Sequence, residues 1–246
     1  MPRHARVKSE SGFYHVIAKG SGGQNLFEGA YDYRVFLVLL ARACGRGGVR
    51  VIAYCLMSNH VHLLLEDPEG CLGEVMRSVL TGYAQRFNRC GDHVGHVFQQ
   101  RFKSQPIESE SYLLQATRYI HDNPAKAGIC PARDYPWSSY HEYAGAPGVA
   151  DTSLILGMCG GVEGFLEFSA SGSEDDYRFF GRTRLSDAEA RQCASQILGE
   201  IAPGDLKALE RGRRNALLFE LKDAGLSIAQ IQRLTGIGRN VIARAK

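Results

Sequence analysis

The stretch that most constrains the fold is Leu56-Met57-Ser58-Asn59-His60-Val61-His62-Leu63-Leu64-Leu65-Glu66, two apolar runs meeting at a Ser-Asn turn. Side chains on a strand alternate between faces, so His60, His62 and Leu64 share one side while Val61, Leu63 and Leu65 point into a core. Two neutral imidazoles leaving a sheet side by side suit a divalent ion that accepts nitrogen ligands. A third ligand would still leave positions open for a phosphate oxygen. A solvated strand face bearing two histidines with no ligand role fits the same pair, which is incomplete alone.

The flanking segments give this hairpin a setting. Residues 12–18 are rich in β-formers and read as a first strand, and Tyr31 to Cys44 repeats apolar residues at helical spacing up to Gly45. Arg50 to Leu56 is a second strand turning into the histidine strand, so strand–helix–strand–strand makes half of a ferredoxin-like unit. Leu72 to Cys90 is an amphipathic helix with Val75, Val79, Tyr83 and Phe87 inward and Arg77, Arg86 and Arg89 outward, closed by residues 91–95. Phe98 to Ile107 alternates as a fourth strand, with Pro106 arguing for an end or an edge. Arg101 and Lys103 then share a face that either meets a DNA backbone or is simply solvated, and Lys19, in a glycine-rich loop, has the same two readings. The segment from Ser109 to Asp122 reads as a helix with Tyr112, Ala116, Tyr119 and Asn123 on one stripe, stopped by Pro124.

These residues carry a resemblance. His60-Val61-His62 on a strand, followed by a helix reading Arg118-Tyr119-Ile120-His121-Asp122-Asn123-Pro124, resembles the single-tyrosine, His-hydrophobe-His transposases. Within these the chain is most similar to the branch of the REP-associated tyrosine transposases, on Tyr14-His15-Val16, Phe98-Gln99-Gln100-Arg101-Phe102-Lys103 and Pro136-Trp137-Ser138-Ser139-Tyr140 as well. The likeness covers about the first 145 residues. It implies an α+β fold, a ferredoxin-like antiparallel sheet in βαββαβ order with an extra catalytic helix. It also implies Tyr119 as nucleophile, His60, His62 and Asn123 as ligands of Mg²⁺ or Mn²⁺, and strand transfer through a 5′-phosphotyrosine. Single-stranded or hairpin DNA is the implied substrate. Asn123 has a local explanation too, as a helix-ending residue. His121 and Asp122 rotate away from the Tyr119 stripe, which makes solvent exposure the default for them. His15 reads as a core or rim histidine with a possible place beside the metal, and Tyr83 as core packing rather than a rival nucleophile.

The rest of the chain bounds the class. No run of eighteen apolar residues and no signal-peptide pattern occur, which points to a cytoplasmic protein with no membrane partner. The seven cysteines are scattered without a Cys-x-x-Cys pair, so neither a disulfide frame nor a cysteine zinc site is suggested. Lys+Arg against Asp+Glu runs 16 to 13 over residues 1–150, 4 to 9 over 151–200, and 9 to 4 over 201–246. A basic end behind an acidic stretch suits a nucleic-acid-binding module after a solvated connector. The expected division is a catalytic domain over 1–145, a connector with short helices over 146–184, and a helical domain over 185–246. The last opens with a capping box at Ser186 to Glu189. Residues 228–235 and 238–245 flank a turn at helix-turn-helix spacing, and the second would be a recognition helix carrying Arg239, Asn240, Arg244 and Lys246. Two alternatives remain beside the transposase: a rolling-circle or relaxase-like nickase, whose chains usually carry other motifs, and a non-catalytic, hairpin-binding transcription regulator derived from such a transposase. Either a monomer or a homodimer fits.

Overall fold

The structure, a computed structural model, describes residues 7–90, 95–171, 187–199, 201–224, 226 and 228–245. It divides into two compact units, Met1–Arg178 and Phe179–Lys246.

The first unit is α+β, built on a four-stranded antiparallel sheet. In chain order it runs β1 (Phe13–Lys19), α1 (Ala30–Gly47), β2 (Arg50–Met57), β3 (His60–Glu66), α2 (Leu72–Cys90) and β4 (Lys103–Ile107). The strands lie in the order β2-β3-β1-β4, with every pairing antiparallel. Alternation sets the two faces. Val16, Ala18, Leu56, Val61, Leu63 and Leu65 pack under α1 and α2 with Phe36, Leu40, Val79 and Tyr83. Each such buried aliphatic side chain stabilises the fold by about 1.5–3 kcal/mol, so a one-residue slip of β3, which would turn its whole apolar set outward, is strongly disfavoured. Tyr83 is 1% exposed in this layer, as expected of a packing residue.

The opposite face holds the histidines and is largely closed by α3 (Glu110–His121), α4 (Asn123–Lys126), α5 (Tyr140–Tyr143), α6 (Ser153–Cys159) and α7 (Val162–Ala170). Leu64, Cys55, Met57 and Ile107 meet Leu113, Ala116 and Ile120 of α3, and Ile155 and Phe165 complete that core without any exposure. The two short helices expected inside a connector thus form as read, but as part of the first unit's core. Their apolar faces are buried, which a solvated connector does not provide. Residues 172–184 of the expected connector lie outside the described residues.

Two expected boundaries shift. The first helix continues past Gly45 to Gly47, where Gly48 takes the left-handed conformation (φ 65°) that ends it. The fourth strand is Lys103–Ile107 rather than 98–107. Ile17 pairs with Lys103 while Gly20 bridges Phe98, so the 98–103 side carries two surplus residues and the ladder breaks there. β4 is an edge strand, as Pro106 requires. The outer edge of β2 is covered by the segment after Pro136: Leu56 N donates to Trp137 O (2.9 Å) and Ser139 N to Tyr54 O (3.0 Å).

The second unit is helical: α8 (Asp187–Leu198), a 3₁₀ turn (Pro203–Ala208), α9 (Arg211–Asp223), α10 (Ile228–Thr235) and α11 (Arg239–Arg244). Leu206, Leu218, Leu221, Ile231 and Ile242 form its core. Gly236 turns the chain between α10 and α11 with φ 65°. The capping box expected at Ser186 lies outside the described residues, as does Lys246.

Candidate active site

Antiparallel register assembles the site. Lys19 lies opposite His60, Ile17 opposite His62 and His15 opposite Leu64, so His15 emerges on the histidine face one step diagonally from His62. His15 Nε2 and His62 Nδ1 are 2.9 Å apart, and the His60 and His62 ring centroids 5.0 Å. α3 lays Tyr119 across this group: its ring is edge-on to His62 at 5.9 Å and to His15 at 5.8 Å. Ser109 starts that helix, its hydroxyl accepting from Tyr112 N (3.3 Å). At the other end Asn123 Nδ2 donates to the carbonyls of Tyr119 (2.8 Å) and Ile120 (3.3 Å). Asn123 therefore ends α3 locally, and because both bonds use Nδ2, its Oδ1 is left for another partner.

Burial keeps the imidazoles uncharged. It lowers His60 to about 4, with Lys19 contributing, and His15 to about 3, and it takes His62 well below the ordinary histidine value, helped by His15, His60, Lys19 and Lys126. A neutral imidazole carries one proton and one lone pair. His60 Nδ1 donates to Asn59 Oδ1 (2.7 Å), which leaves the lone pair on Nε2. His62 Nδ1 and His15 Nε2 are joined by one hydrogen bond, and with its proton on His62 Nδ1 the lone pair of His62 lies on Nε2 as well.

Among the described residues no three His, Cys, Asp or Glu side chains are placed to hold a metal. His15 spends its Nε2 on His62, so the ring nitrogens that could hold an ion are those of His60 and His62, and a third donor would be an oxygen. Two neutral imidazoles with Nδ1 engaged, plus a carboxamide oxygen, are chemically suited to a divalent ion.

Positive charge frames the group. Lys126, one helical turn beyond Asp122, sits with Nζ 4.0 Å from the Tyr119 ring centroid, and Lys19 is exposed at the end of β1. Burial raises the Tyr119 phenol above the ordinary tyrosine value. Sequence reasoning passed over Lys126 and set His15 at the core or rim. The parity of β1 against β3 is the signal that finds His15; Lys126 has none beyond lying two residues past Pro124.

His121 corrects an expectation. It turns away from Tyr119 as read, but is 1% exposed, not solvated: Nε2 meets Ser139 Oγ (2.8 Å) among the rings of Tyr140, Tyr143 and Phe165. α7 covers the side of α3 that a helix on a bare sheet would expose. Because Ser139 is itself bonded to Tyr54 of β2, this pair ties α3 to the sheet.

The expected DNA-contacting residues fall in separate places. Lys103 is exposed on β4, whereas Arg101 lies outside the strand in the two-residue surplus, so the two do not share a strand face. Arg239, Asn240 and Arg244 are exposed on α11, opposite the buried Ile242.

Comparisons with known proteins converge on this unit. The family model described as "Transposase IS200 like" matches residues 8–123, from before β1 to Asn123. A Haemophilus influenzae protein named as a REP-associated tyrosine transposase is 26% identical over 112 residues, covering 41% of this chain and 64% of that protein. The chain thus spans just under two thirds of that relative's length. A solved REP-associated tyrosine transposase bound to a REP hairpin aligns with a TM-score of 0.52 at 18% identity, over 62% of this chain and 96% of that one, a likeness of fold. Over residues 8–123 the chain is thus similar to the IS200-like transposases, and both relatives described above bear the name REP-associated tyrosine transposase.

Proposed function

We propose that the protein is a metal-dependent single-strand DNA transposase or endonuclease that cleaves and rejoins DNA at Tyr119. The observation that carries this is the convergence of half-buried His60 and buried His62 with the Tyr119 ring on one face of the sheet. In this reading His60, His62 and Asn123 would hold the ion. A bound divalent ion supplies charge neutralisation to the non-bridging phosphate oxygens as negative charge grows.

The chain's own groups do the rest. Tyr119 Oη attacks phosphorus: its O–P bond forms, the P–O3′ bond breaks, and the leaving oxygen takes the electron pair and a proton to become a 3′-hydroxyl. The phenol proton departs to solvent, and the Lys126 ammonium over the Tyr119 ring favours the phenolate. The 5′-phosphotyrosine keeps the energy of the broken ester, so a 3′-hydroxyl can attack it to rejoin strands without ATP. His15 orients His62, and His121 orients α3.

The βαββαβ order with strands β2-β3-β1-β4 reads as ferredoxin-like, α10 and α11 as a helix-turn-helix with α11 as its reading helix, and the cytoplasm as the compartment. Hairpin DNA is the substrate by analogy with the solved relative. The test is incubation with labelled hairpin DNA carrying single-stranded flanks, with Mn²⁺ present. The reading predicts a covalent protein–DNA band that Tyr119→Phe abolishes while hairpin affinity stays within about twofold. A regulator would bind without forming the band, and a band persisting in Tyr119→Phe would overturn the assignment of the nucleophile.

A further inference from the structure

The second unit begins well past residue 123, where the family match ends. Its charge is divided along the sequence: residues 179–223 hold all of its acidic side chains, while residues 224–246 hold three arginines and one lysine with no Asp or Glu. The stretch that forms α10 and α11 is therefore complementary to a phosphate backbone.

The fold of this stretch holds α11 in a fixed pose. Thr235 Oγ1 donates to Ile231 O (2.7 Å) and accepts from Ile237 N (3.2 Å), closing α10 where Gly236 turns the chain. Ile237 then enters the core, and at the far end Lys222 Nζ of α9 donates to the carbonyl of Ala245. Ile242, fully buried between these two anchors, fixes the rotation of the helix. Asn240, Ala243 and Arg244, spaced three and four residues apart, are thereby turned outward as one exposed stripe. Val241, a large aliphatic side chain left 41% exposed, borders it. Six residues make a helix about 9 Å long, enough to pass about three base pairs at 3.4 Å each. A helix about 10–12 Å across enters a major groove about 12 Å wide and not a minor groove about 6 Å wide.

Side-chain chemistry then selects the base pair. The Asn240 carboxamide offers a donor and an acceptor side by side. Adenine presents the complement, N7 accepting and N6 donating, whereas guanine shows two acceptors and cytosine a donor. The thymine of the same pair adds a methyl group, which suits the apolar side chains of Ala243 and Val241. Arg239 and Arg244 carry donors only and suit the flanking phosphates.

We propose that α11 reads an A·T base pair in the major groove of a linear duplex, with Asn240 on the adenine and Ala243 and Val241 against the thymine methyl. The chain then holds a sequence-specific duplex contact separate from the hairpin processed at Tyr119. The proposal rests on the reading of α10 and α11 as a helix-turn-helix and deepens it.

The test selects from a pool of blunt linear duplexes with a randomised centre, using the full chain without Mn²⁺, and sequences what is retained. The wild-type protein enriches a short motif containing a fixed A·T pair. Asn240→Ala lowers the preference for that pair about tenfold and leaves the rest of the motif in place, while Asn240→Gln, able to make the same two bonds, keeps it. Arg239→Ala with Arg244→Ala weakens all duplexes alike and lowers the salt slope by about 1.8, at 0.9 per phosphate contact. All three positions are exposed, so the core is untouched. The pair is also probed from the DNA side: 7-deazaadenine, which lacks the N7 acceptor, reproduces the Asn240→Ala loss, and deoxyuridine, which lacks the methyl group, weakens wild-type binding. Hairpin affinity is unchanged in Asn240→Ala. Retained duplexes without a shared motif, or a motif that Asn240→Ala leaves intact, would overturn the proposal alone. Duplex binding indifferent to the double arginine variant would defeat the helix-turn-helix reading itself. A loss of hairpin affinity in Asn240→Ala would put α11 on the hairpin stem and overturn the separate duplex contact.

Discussion

His62 divides its ring between two tasks: Nδ1 meets His15, and Nε2 is thereby left for a ligand. Partners of this kind commonly change metal affinity 10–100-fold when removed, because the tautomer and the ring orientation are both lost. His15→Leu therefore weakens Mn²⁺ binding by about that factor, measured by titration calorimetry or by the loss of free Mn²⁺ signal in electron paramagnetic resonance. His15→Gln, whose carboxamide oxygen can accept from His62 Nδ1, restores much of the affinity. Equal losses in the two variants would mean that His15 only fills space. At this scale the alternation of the His60 strand was readable directly, since period two is a property of the strand itself. The role of His15 was not, because its neighbour is chosen by the register of β1 against β3. His121 was misread for a related reason: a single helix pattern cannot show that a second layer will cover its outer side.

Among the elements, α3 matters most, since it carries Tyr119 and Asn123 to histidines held on a different strand. It is fixed from two directions, by His121 on Ser139 at the β2 edge and by Arg118, whose guanidinium lies 3.7 Å over the Phe168 ring and donates to the Phe168 carbonyl (2.5 Å). The first of these places His121 as an Nε2–H donor, leaving Nδ1 buried and unpartnered, the arrangement of a neutral imidazole. α7 thus forms the outer support of the helix that carries Tyr119. Phe165, fully buried in that core, is the sharpest probe: Phe165→Ala costs about 3–5 kcal/mol in the urea unfolding of the first unit. A loss below about 1 kcal/mol would show that residues 153–170 act as a connector after all. The sequence revealed α6 and α7 as short apolar helices; their destination was hidden because nothing local specifies which surface a short apolar helix will cover. The end of the fourth strand was equally hidden, being set by a two-residue mismatch between chains far apart in sequence.

The whole molecule joins a histidine-bearing α+β unit to a helical unit without any histidine, all eight lying before residue 179. That division makes acid stability a signature. A histidine whose folded value lies below its unfolded one binds fewer protons when folded. Its contribution is complete above about pH 6.5 and is lost as pH falls toward the folded value. With His60 at about 4 and His15 and His121 at about 3, the thermal midpoint of the first unit falls continuously below pH 6.5, and the second unit shows no histidine-linked loss. Differential scanning calorimetry across that range checks this; a first-unit midpoint independent of pH from 6.5 to 5 would contradict burial of neutral imidazoles. Among the described residues no single helix is long and apolar enough to cross a membrane, consistent with two units that each bury their own core. The account depends most on one ion shared by His60, His62 and Asn123 beside the nucleophile. Anomalous diffraction from a Mn²⁺-soaked crystal reads that directly: the predicted result is a single peak bonded to Nε2 of both histidines and Oδ1 of Asn123, next to the Tyr119 hydroxyl. A peak on the Nδ1 side, or one that leaves Asn123 on its carbonyls and away from the ion, would contradict it.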